Sequence, residues 1–352
     1  MKKYNIAVVG VGAVGIEMLR SLRERKFPVG NLSVFARSSR DIEVDGEKFS
    51  VKETSGQGFE GIDIALFAGT EGEKGAAVTY GPEAVKRGAV VVDNGADFRM
   101  DPKVPLVVPE VNPQDIKKHE GVISNPNCST IQMVVALYPI YKKVGIKRVI
   151  VTTLQASSGA GKSAVEQLFV ETNEIMKQFD SRSPILDARL RVSSIEHPVS
   201  RSMPQQLAYN VFPHIGGFAD CEYTSEEWKL VYETHKIMHD DKIKISATTV
   251  RVPVRTGHSE SIYIETAKPI TPEAARDVLS KAEGVIVVDE PKNNLYPMPK
   301  DAEGKDEVFV GRIRKDPFVK NGLWLWCVAD NLRKGAATNA VQIAEVLIKS
   351  KG

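Results

Sequence analysis

The feature that most restricts this chain is a short glycine turn. The run Asn5 to Val9 is apolar without alternation, as in a strand buried on both faces, and it stops at Gly10-Val11-Gly12-Ala13-Val14-Gly15. A helical pattern then runs to Arg25. Glycines at the first, third and sixth positions let the backbone turn tightly, approach a pyrophosphate and pack a helix against its strand. The arrangement predicts a dinucleotide-binding unit with Gly10, Gly12, Ala13, Val14 and Gly15 against the cofactor. The next strand, Leu32 to Ala36, ends in Arg37-Ser38-Ser39-Arg40. An NAD-selective site carries an acid here for the ribose 2′-hydroxyl; a cation and two hydroxyls, Arg37, Ser38 and Ser39, predict NADP instead. A solvated basic turn is the plainer reading.

Strand and helix patterns alternate onward through Ile62 to Ala68, a helix near Glu73 to Arg87, and Ala89 to Asp93. This is the βαβ rhythm of a parallel sheet, whose ligands lie beyond the carboxyl ends of the strands. Two loops fall there, Gly69-Thr70-Glu71-Gly72 and Asp93 to Met100, and the second offers Arg99 as an anion ligand. A surface ion pair is the ordinary alternative.

Length and charge narrow the class. At 352 residues and 42% hydrophobic content the chain can support two cores, and 47 basic against 45 acidic residues create no field for nucleic acid or a membrane. Three dispersed cysteines, Cys128, Cys221 and Cys327, make neither a disulfide framework nor a metal cluster. Met1-Lys2-Lys3-Tyr4 leads directly into a strand, and no apolar run approaches the roughly 20 residues of a membrane span. A cytoplasmic enzyme without a metal is expected.

Cys128 stands out by placement. The strand-like run Gly121 to Ser124 ends at Pro126, and a long helical pattern, Ile131 to Lys143, starts just after Ser129 and Thr130. The thiol thus falls at a helix N-terminus, where free N–H groups and the helix dipole favour a nucleophilic thiolate. A buried structural cysteine is the bland alternative. Beyond this helix the pattern changes. Strands are predicted at Val149 to Gln155, Lys244 to Val254, Ser259 to Ala267, Val285 to Val288, Val308 to Ile313 and Leu323 to Ala329. Helices are predicted at Lys162 to Phe179, Ser225 to His239 and Pro272 to Ala282, with an irregular Pro-rich stretch between the first two. The result is a second domain with a mostly antiparallel sheet, while the last helix, Gly335 to Lys349, returns to the first domain. The expected boundaries are 1–127 with 330–352 for the NADP-binding domain and 128–329 for the catalytic domain.

A rival class must be weighed. Ala156 to Ser163 fits a relaxed phosphate loop, and Val285 to Glu290 fits an acidic magnesium-holding strand, together a nucleoside-triphosphate hydrolase. The missing first glycine, the better turn at Gly10 and the following Pro291 count against it. A regulatory protein that binds cofactor without chemistry is the third possibility.

The motifs taken together resemble the aspartate-β-semialdehyde dehydrogenases. The resemblance spans nearly the whole chain: Gly10 to Gly15, Asp93 to Arg99, Val108 to Asn112, Asn125 to Gln132, Gln155-Ala156 with Ser158 to Gly161, Glu226 with Lys229, Arg251 with His258, and Asp330 to Ala337. It implies reversible reductive dephosphorylation of L-aspartyl-4-phosphate by NADPH, on the route to lysine, threonine and methionine. Cys128 would form a thioester, His258 would be the general acid/base with a near-neutral pKa, and Gln155 would orient them. Arg99, Asn127 and Lys229 would hold phosphate, Arg251 the substrate carboxylate and Glu226 its amino group. Ser158, Gly159, Gly161 and Asn331 would meet the cofactor. Seven residues separate Arg251 from His258, so a bulge or bend is expected if both face one pocket. The chain departs from the commoner residues at Leu154, Lys162 and Gly95 to Asp97. The sister enzyme N-acetyl-γ-glutamyl-phosphate reductase typically has Asn-Pro-Gly-Cys, where Asn127 stands here; a CoA-thioester reductase would not need the full phosphate set. A homodimer through the second sheet is implied, with a tetramer as the alternative.

Overall fold

The apolar run at the N-terminus becomes β1 (Tyr4–Val9), the middle of a seven-stranded sheet, in a computed structural model that describes residues 2–69, 75–178 and 203–350. Then come α1 (Ala13–Glu24), β2 (Val29–Ala36), β3 (Arg40–Val44), β4 (Glu47–Glu53), β5 (Ile64–Phe67), α2 (Ala76–Lys86), β6 (Val90–Asp93) and β7 (Val122–Ser124). The strand order is β3-β4-β2-β1-β5-β6-β7, parallel throughout except for the β3–β4 hairpin. The hairpin was not expected from the sequence, because its residues are mostly polar. Its signal is Asp45-Gly46, both at positive φ (52° and 83°), as a tight two-residue hairpin turn requires. Of the expected features, Thr70 to Gly72 and Glu73, the helix end at Phe179 and much of the Pro-rich stretch lie outside the described residues.

The second half contributes α3 (Cys128–Val144), β8 (Ile146–Gln155), α4 (Lys162–Gln178), α5 (Ser225–Met238), β9 (Lys244–Arg251) and β10 (His258–Thr266). It continues with α6 (Pro272–Ser280), β11 (Val285–Val287), α7 (Pro299–Ala302), β12 (Val308–Lys315), β13 (Gly322–Ala329) and α8 (Thr338–Ser350). The second sheet runs β11-β12-β13-β10-β8-β9. Its three central pairings are antiparallel, as expected, but both outer pairs, β11–β12 and β8–β9, are parallel. The fold is α/β: a Rossmann-type parallel sheet joined to a mixed-sheet α+β half.

Two cores place the site. Ile131, Val134 and Leu137 of α3 are buried against Val149 and Val151 of β8 and Ile262 of β10. Each such side chain contributes about 1.5–3 kcal/mol on burial, so the helix that begins with Cys128 is anchored from behind by the second sheet. Val341, Ala344 and Leu347 of α8 share a core with β1 and α1. The other face of the second sheet carries Ile150, Trp324 and Trp326, all partly exposed.

Arg251 and His258 reach one end of the sheet by a bend, not a bulge. β9 ends at Arg251, the chain loops through Val252 to Gly257, and β10 starts at His258. Because β8 lies between them, parallel to β9 and antiparallel to β10, both residues come to the end of the sheet where Gln155 closes β8.

Candidate active site

The site grows from the start of α3. Asn127 is its N-cap, with Oδ1 accepting from the N–H groups of Ser129 at 3.0 Å and Thr130 at 3.2 Å. This is a standard way to satisfy orphan donors, and it turns the Asn127 amide so that Nδ2 points across to Glu226 Oε1 at 2.8 Å. The Asn127 N–H donates to Glu233 Oε2 at 2.7 Å, so α5 grips the cap at two points. Cys128 follows as the first helical residue, partly buried. At the end of β8, Gln155 Nε2 donates to Ser129 Oγ at 2.9 Å and Glu226 Oε1 at 3.2 Å.

Arg99 is buried and held by three different groups: Nε to the Asn125 carbonyl at 3.0 Å, Nη1 to Glu233 Oε1 at 3.1 Å and Nη2 to the Asn94 carbonyl at 2.7 Å. Lys229 lies 3.4 Å from Glu226, and Arg251 Nη1 donates to the Ala156 carbonyl at 2.6 Å. Arg99, Asn127, Cys128, Gln155, Glu226, Lys229 and Arg251 line one cavity of about 230 Å³. His258 sits just behind it, with Nε2 3.1 Å from where a β-carbon on Gly159 would stand.

Charge in the cavity does not follow the helix dipole. Burial, and then Glu226, push the Cys128 thiol from its ordinary 9.0 up to about 12, against the pull of Arg99 and Arg251. Such a rise opposes the thiolate by about 4 kcal/mol. A helix N-terminus returns about 0.3–1 kcal/mol, and about 2 in a favourable partly buried geometry, so these surroundings favour the thiol where the helix start alone favours the thiolate. His258 also departs from expectation. Burial, and then Arg251, hold its ring well below the usual range. Its Nδ1 accepts from the Ala156 N–H at 3.1 Å, which puts the ring proton on Nε2, and Nε2 is buried with no partner among the described residues. In these surroundings the ring is neutral and carries its proton on Nε2, beside Gly159 of the cavity wall, where a near-neutral pKa was expected. Burial pushes Glu226 upward, yet Lys229, Asn127, Gln155 and Arg99 together hold it below the ordinary carboxyl range, so it stays anionic.

A groove leads from this cavity along the first sheet. A second space of about 390 Å³ is lined by Gly10, Gly12, Ala13, Val14 and Gly15 on one side and by Ser158, Gly159 and Gly161 on the other. A third, of about 780 Å³, carries Arg37, Ser38 and Arg40. The residues fit a dinucleotide. A β-carbon on Gly15 would fall 1.9 Å from the Gly10 carbonyl oxygen, one on Gly12 would meet nothing within 4 Å, and α1 begins with no side-chain cap and no acid in its first turn. Strand and helix therefore close together while N–H groups stay available to a pyrophosphate. Ser39 is not among the residues lining the third space; its Oγ accepts from the Glu53 N–H at 3.0 Å. Asn331 bonds Ser158 Oγ at 3.0 Å and accepts from the Gly257 N–H at 2.9 Å, which steadies the turn from 157 to 160.

Some participants were missed. Glu233 stands at the seventh position after Glu226 on α5, on the same face as Lys229, and that spacing was its available signal. Glu53 reaches the third space from the unforeseen hairpin. The phosphate-loop reading fails on geometry: Lys162 is exposed and paired with Glu166, while Asp289 is committed to Arg276 at 2.7 Å. All three cysteines are free. Among the described residues, no group of His, Cys, Asp or Glu could hold a metal, and no helix is long and apolar enough to cross a membrane.

Comparison with known proteins agrees with this fold. A family described as "Semialdehyde dehydrogenase, NAD binding domain" matches residues 5–119, and one described as "Semialdehyde dehydrogenase, dimerisation domain" matches residues 137–334. The aspartate-semialdehyde dehydrogenase of Aquifex aeolicus is 53% identical over 98% of both chains, and that of Bacillus subtilis is 47% identical over 98% of this chain and 97% of the other. A crystal structure of aspartate semialdehyde dehydrogenase II complexed with ASA, from Vibrio cholerae, superposes with a TM-score of 0.89 at 41% identity, covering 99% of each chain.

Proposed function

The chain belongs to the aspartate-semialdehyde dehydrogenase family of phosphorylating, NAD(P)-dependent oxidoreductases, and from that premise we propose that it interconverts L-aspartyl-4-phosphate and L-aspartate-4-semialdehyde with NADP(H). The product feeds the synthesis of lysine, threonine and methionine. The observation that carries the reading is the shared cavity in which Cys128 meets three cations and one carboxylate, Arg99, Lys229, Arg251 and Glu226.

In the reductive direction Arg251 binds the substrate carboxylate and Glu226 its amino group, while Arg99, Asn127 and Lys229 hold the phosphate. Cys128 sulfur attacks the acyl carbon. The acyl-phosphate bond breaks, the thiol proton leaves with the phosphate as HPO4²⁻, and the acyl group stays as a thioester. This balance needs no resting thiolate, in keeping with the raised thiol pKa. Gly10 to Gly15, Arg37, Ser38, Ser158, Gly159 and Gly161 hold the cofactor, with Ser39 and Asn331 supporting their loops. When bound, its nicotinamide supplies a hydride to the acyl carbon. His258 donates a hydrogen bond from Nε2 to the acyl oxygen as it gains negative charge, Gln155 keeps the α3 terminus and Glu226 in place, and collapse expels Cys128 as a thiolate, which takes up one proton from solvent.

The division into residues 1–127 with 330–352 and residues 128–329 follows this chemistry, one part for cofactor and one for the covalent steps. The dimerisation-domain match and the open face of the second sheet support a homodimer. The assay is phosphate-dependent NADP reduction with aspartate semialdehyde beside N-acetylglutamate semialdehyde. Turnover of the second compound alone would transfer the assignment to the sister reductase.

A further inference from the structure

Gly335 stands directly behind the nucleophile. A β-carbon built on it would lie 2.9 Å from Cys128 Cβ and 3.4 Å from its Cα, inside the 3.5–4.0 Å or so at which carbons rest against each other. The Gly335 backbone is thus the surface against which Cys128 sits. It belongs to a single π-turn, Arg333–Ala337, a widened turn of the kind that recurs at functional sites.

The residue beside it is clamped. Lys334 is 0% exposed, and its Nζ donates to Glu110 at 2.7 and 2.8 Å, Gln342 Oε1 at 2.7 Å and Asn339 Oδ1 at 2.9 Å. Asn339 Nδ2 in turn donates to Asn125 Oδ1 at 2.7 Å, and the Asn125 carbonyl accepts from Arg99 Nε. A buried ion pair is a poor device for stability alone, since desolvation offsets its attraction and an apolar pair of equal volume often serves as well. Placement is what this one supplies. We propose that Lys334, held by Glu110, is a positioning residue for Cys128: it fixes the π-turn, and with it the direction in which the sulfur points into the cavity. The inference rests on Cys128 being the nucleophile.

Two variants test it. Lys334→Met with Glu110→Gln removes both charges together, and Gly335→Ala leaves the clamp but presses a methyl group on Cys128. Each is compared with wild type for Tm, NADPH binding, kcat, KM and the pH profile of Cys128 alkylation by iodoacetamide. Displacement of a reacting atom by about 1 Å costs roughly a hundredfold in rate. The expected result is a kcat at least about tenfold lower, with KM and NADPH Kd nearly unchanged and a shifted alkylation profile. A folded variant of either kind with wild-type kcat and alkylation profile overturns the proposal. If the charge variant does not fold, Lys334→Arg, which keeps the charge but not the geometry of these contacts, takes its place with the same expected and overturning results. Turnover by Cys128→Ala overturns the nucleophile reading and this one with it, whereas an inactive Cys128→Ala beside unchanged kcat in the variants removes only the positioning role.

Discussion

Asn127 and Glu226 are joined by one hydrogen bond, Nδ2 to Oε1 at 2.8 Å, that ties the cap of the nucleophile's helix to the first turn of α5. The same amide caps α3 through Oδ1, so a single residue serves the helix, the acid and, in our reading, the phosphate. Substitution can separate these tasks. Glycine caps a helix with a loss of only a few tenths of a kcal/mol, whereas alanine loses about 1. Asn127→Gly is expected to lower Tm, because Glu226 loses a buried donor even though glycine still caps the helix, and to raise the KM for phosphate by roughly tenfold or more, the worth of one hydrogen bond to a charged group. An unchanged KM would remove Asn127 from the phosphate site.

Cys128→Ala is expected to abolish turnover and leave NADPH binding intact, measured by fluorescence titration beside the coupled assay. Residual phosphate-dependent activity would sink the thioester mechanism.

The thiol makes a pH prediction whose sign follows from its environment. With the thiol pushed up to about 12, alkylation of Cys128 in the protein without substrate should still be accelerating at pH 9, about tenfold per pH unit as the thiolate fraction grows. A plateau between pH 6 and 8 would restore the dipole-activated thiolate.

Arg99 and Glu233 form a buried pair at 3.1 Å. Arg99→Ala strands the carboxylate, with an expected loss of about 3–5 kcal/mol in unfolding experiments. Arg99→Ala with Glu233→Gln should recover most of that stability while the raised phosphate requirement persists. If stability and phosphate use recover together, Arg99 serves the fold alone.

Glu260 is buried opposite Cys327, and burial pushes it well above the usual carboxyl range, with Gln132 opposing. A raised folded-state pKa means its contribution to stability is complete below the ordinary carboxyl pKa and is lost as pH rises. Glu260→Gln should therefore gain Tm relative to wild type between pH 5 and pH 8. A difference independent of pH would mean that Glu260 keeps its proton equilibrium on folding.

In our reading, cofactor choice rests on the tail of β2. Replacing Arg37 with Asp should lower the NADP/NAD ratio of kcat/KM by roughly 10- to 100-fold, since a cation on the 2′-phosphate is exchanged for an acid on a hydroxyl. An unchanged ratio would refute the assignment.

By itself the sequence determined whatever depends on neighbours along the chain. The Gly10 to Gly15 turn, the helix start near Cys128, and the strand ends at Ala36 and Gln155 are local consequences of glycine, proline and apolar spacing. The family motifs also singled out residues that line one cavity, Arg99, Asn127, Cys128, Gln155, Glu226, Lys229 and Arg251. Tertiary structure alone decided how these residues act on one another. Arg251 and His258 meet because β8 lies between their strands, a pairing that no single-strand periodicity contains. Glu233 reaches Asn127 across 106 positions, and the hairpin β3–β4 brings Glu53 into one space with Arg37 and Ser38. The surroundings of Cys128 come from the same source. A helix start favours the thiolate from within a few residues, but burial and Glu226 arrive from other elements, and in a low-dielectric cavity their cost exceeds what one helix terminus returns.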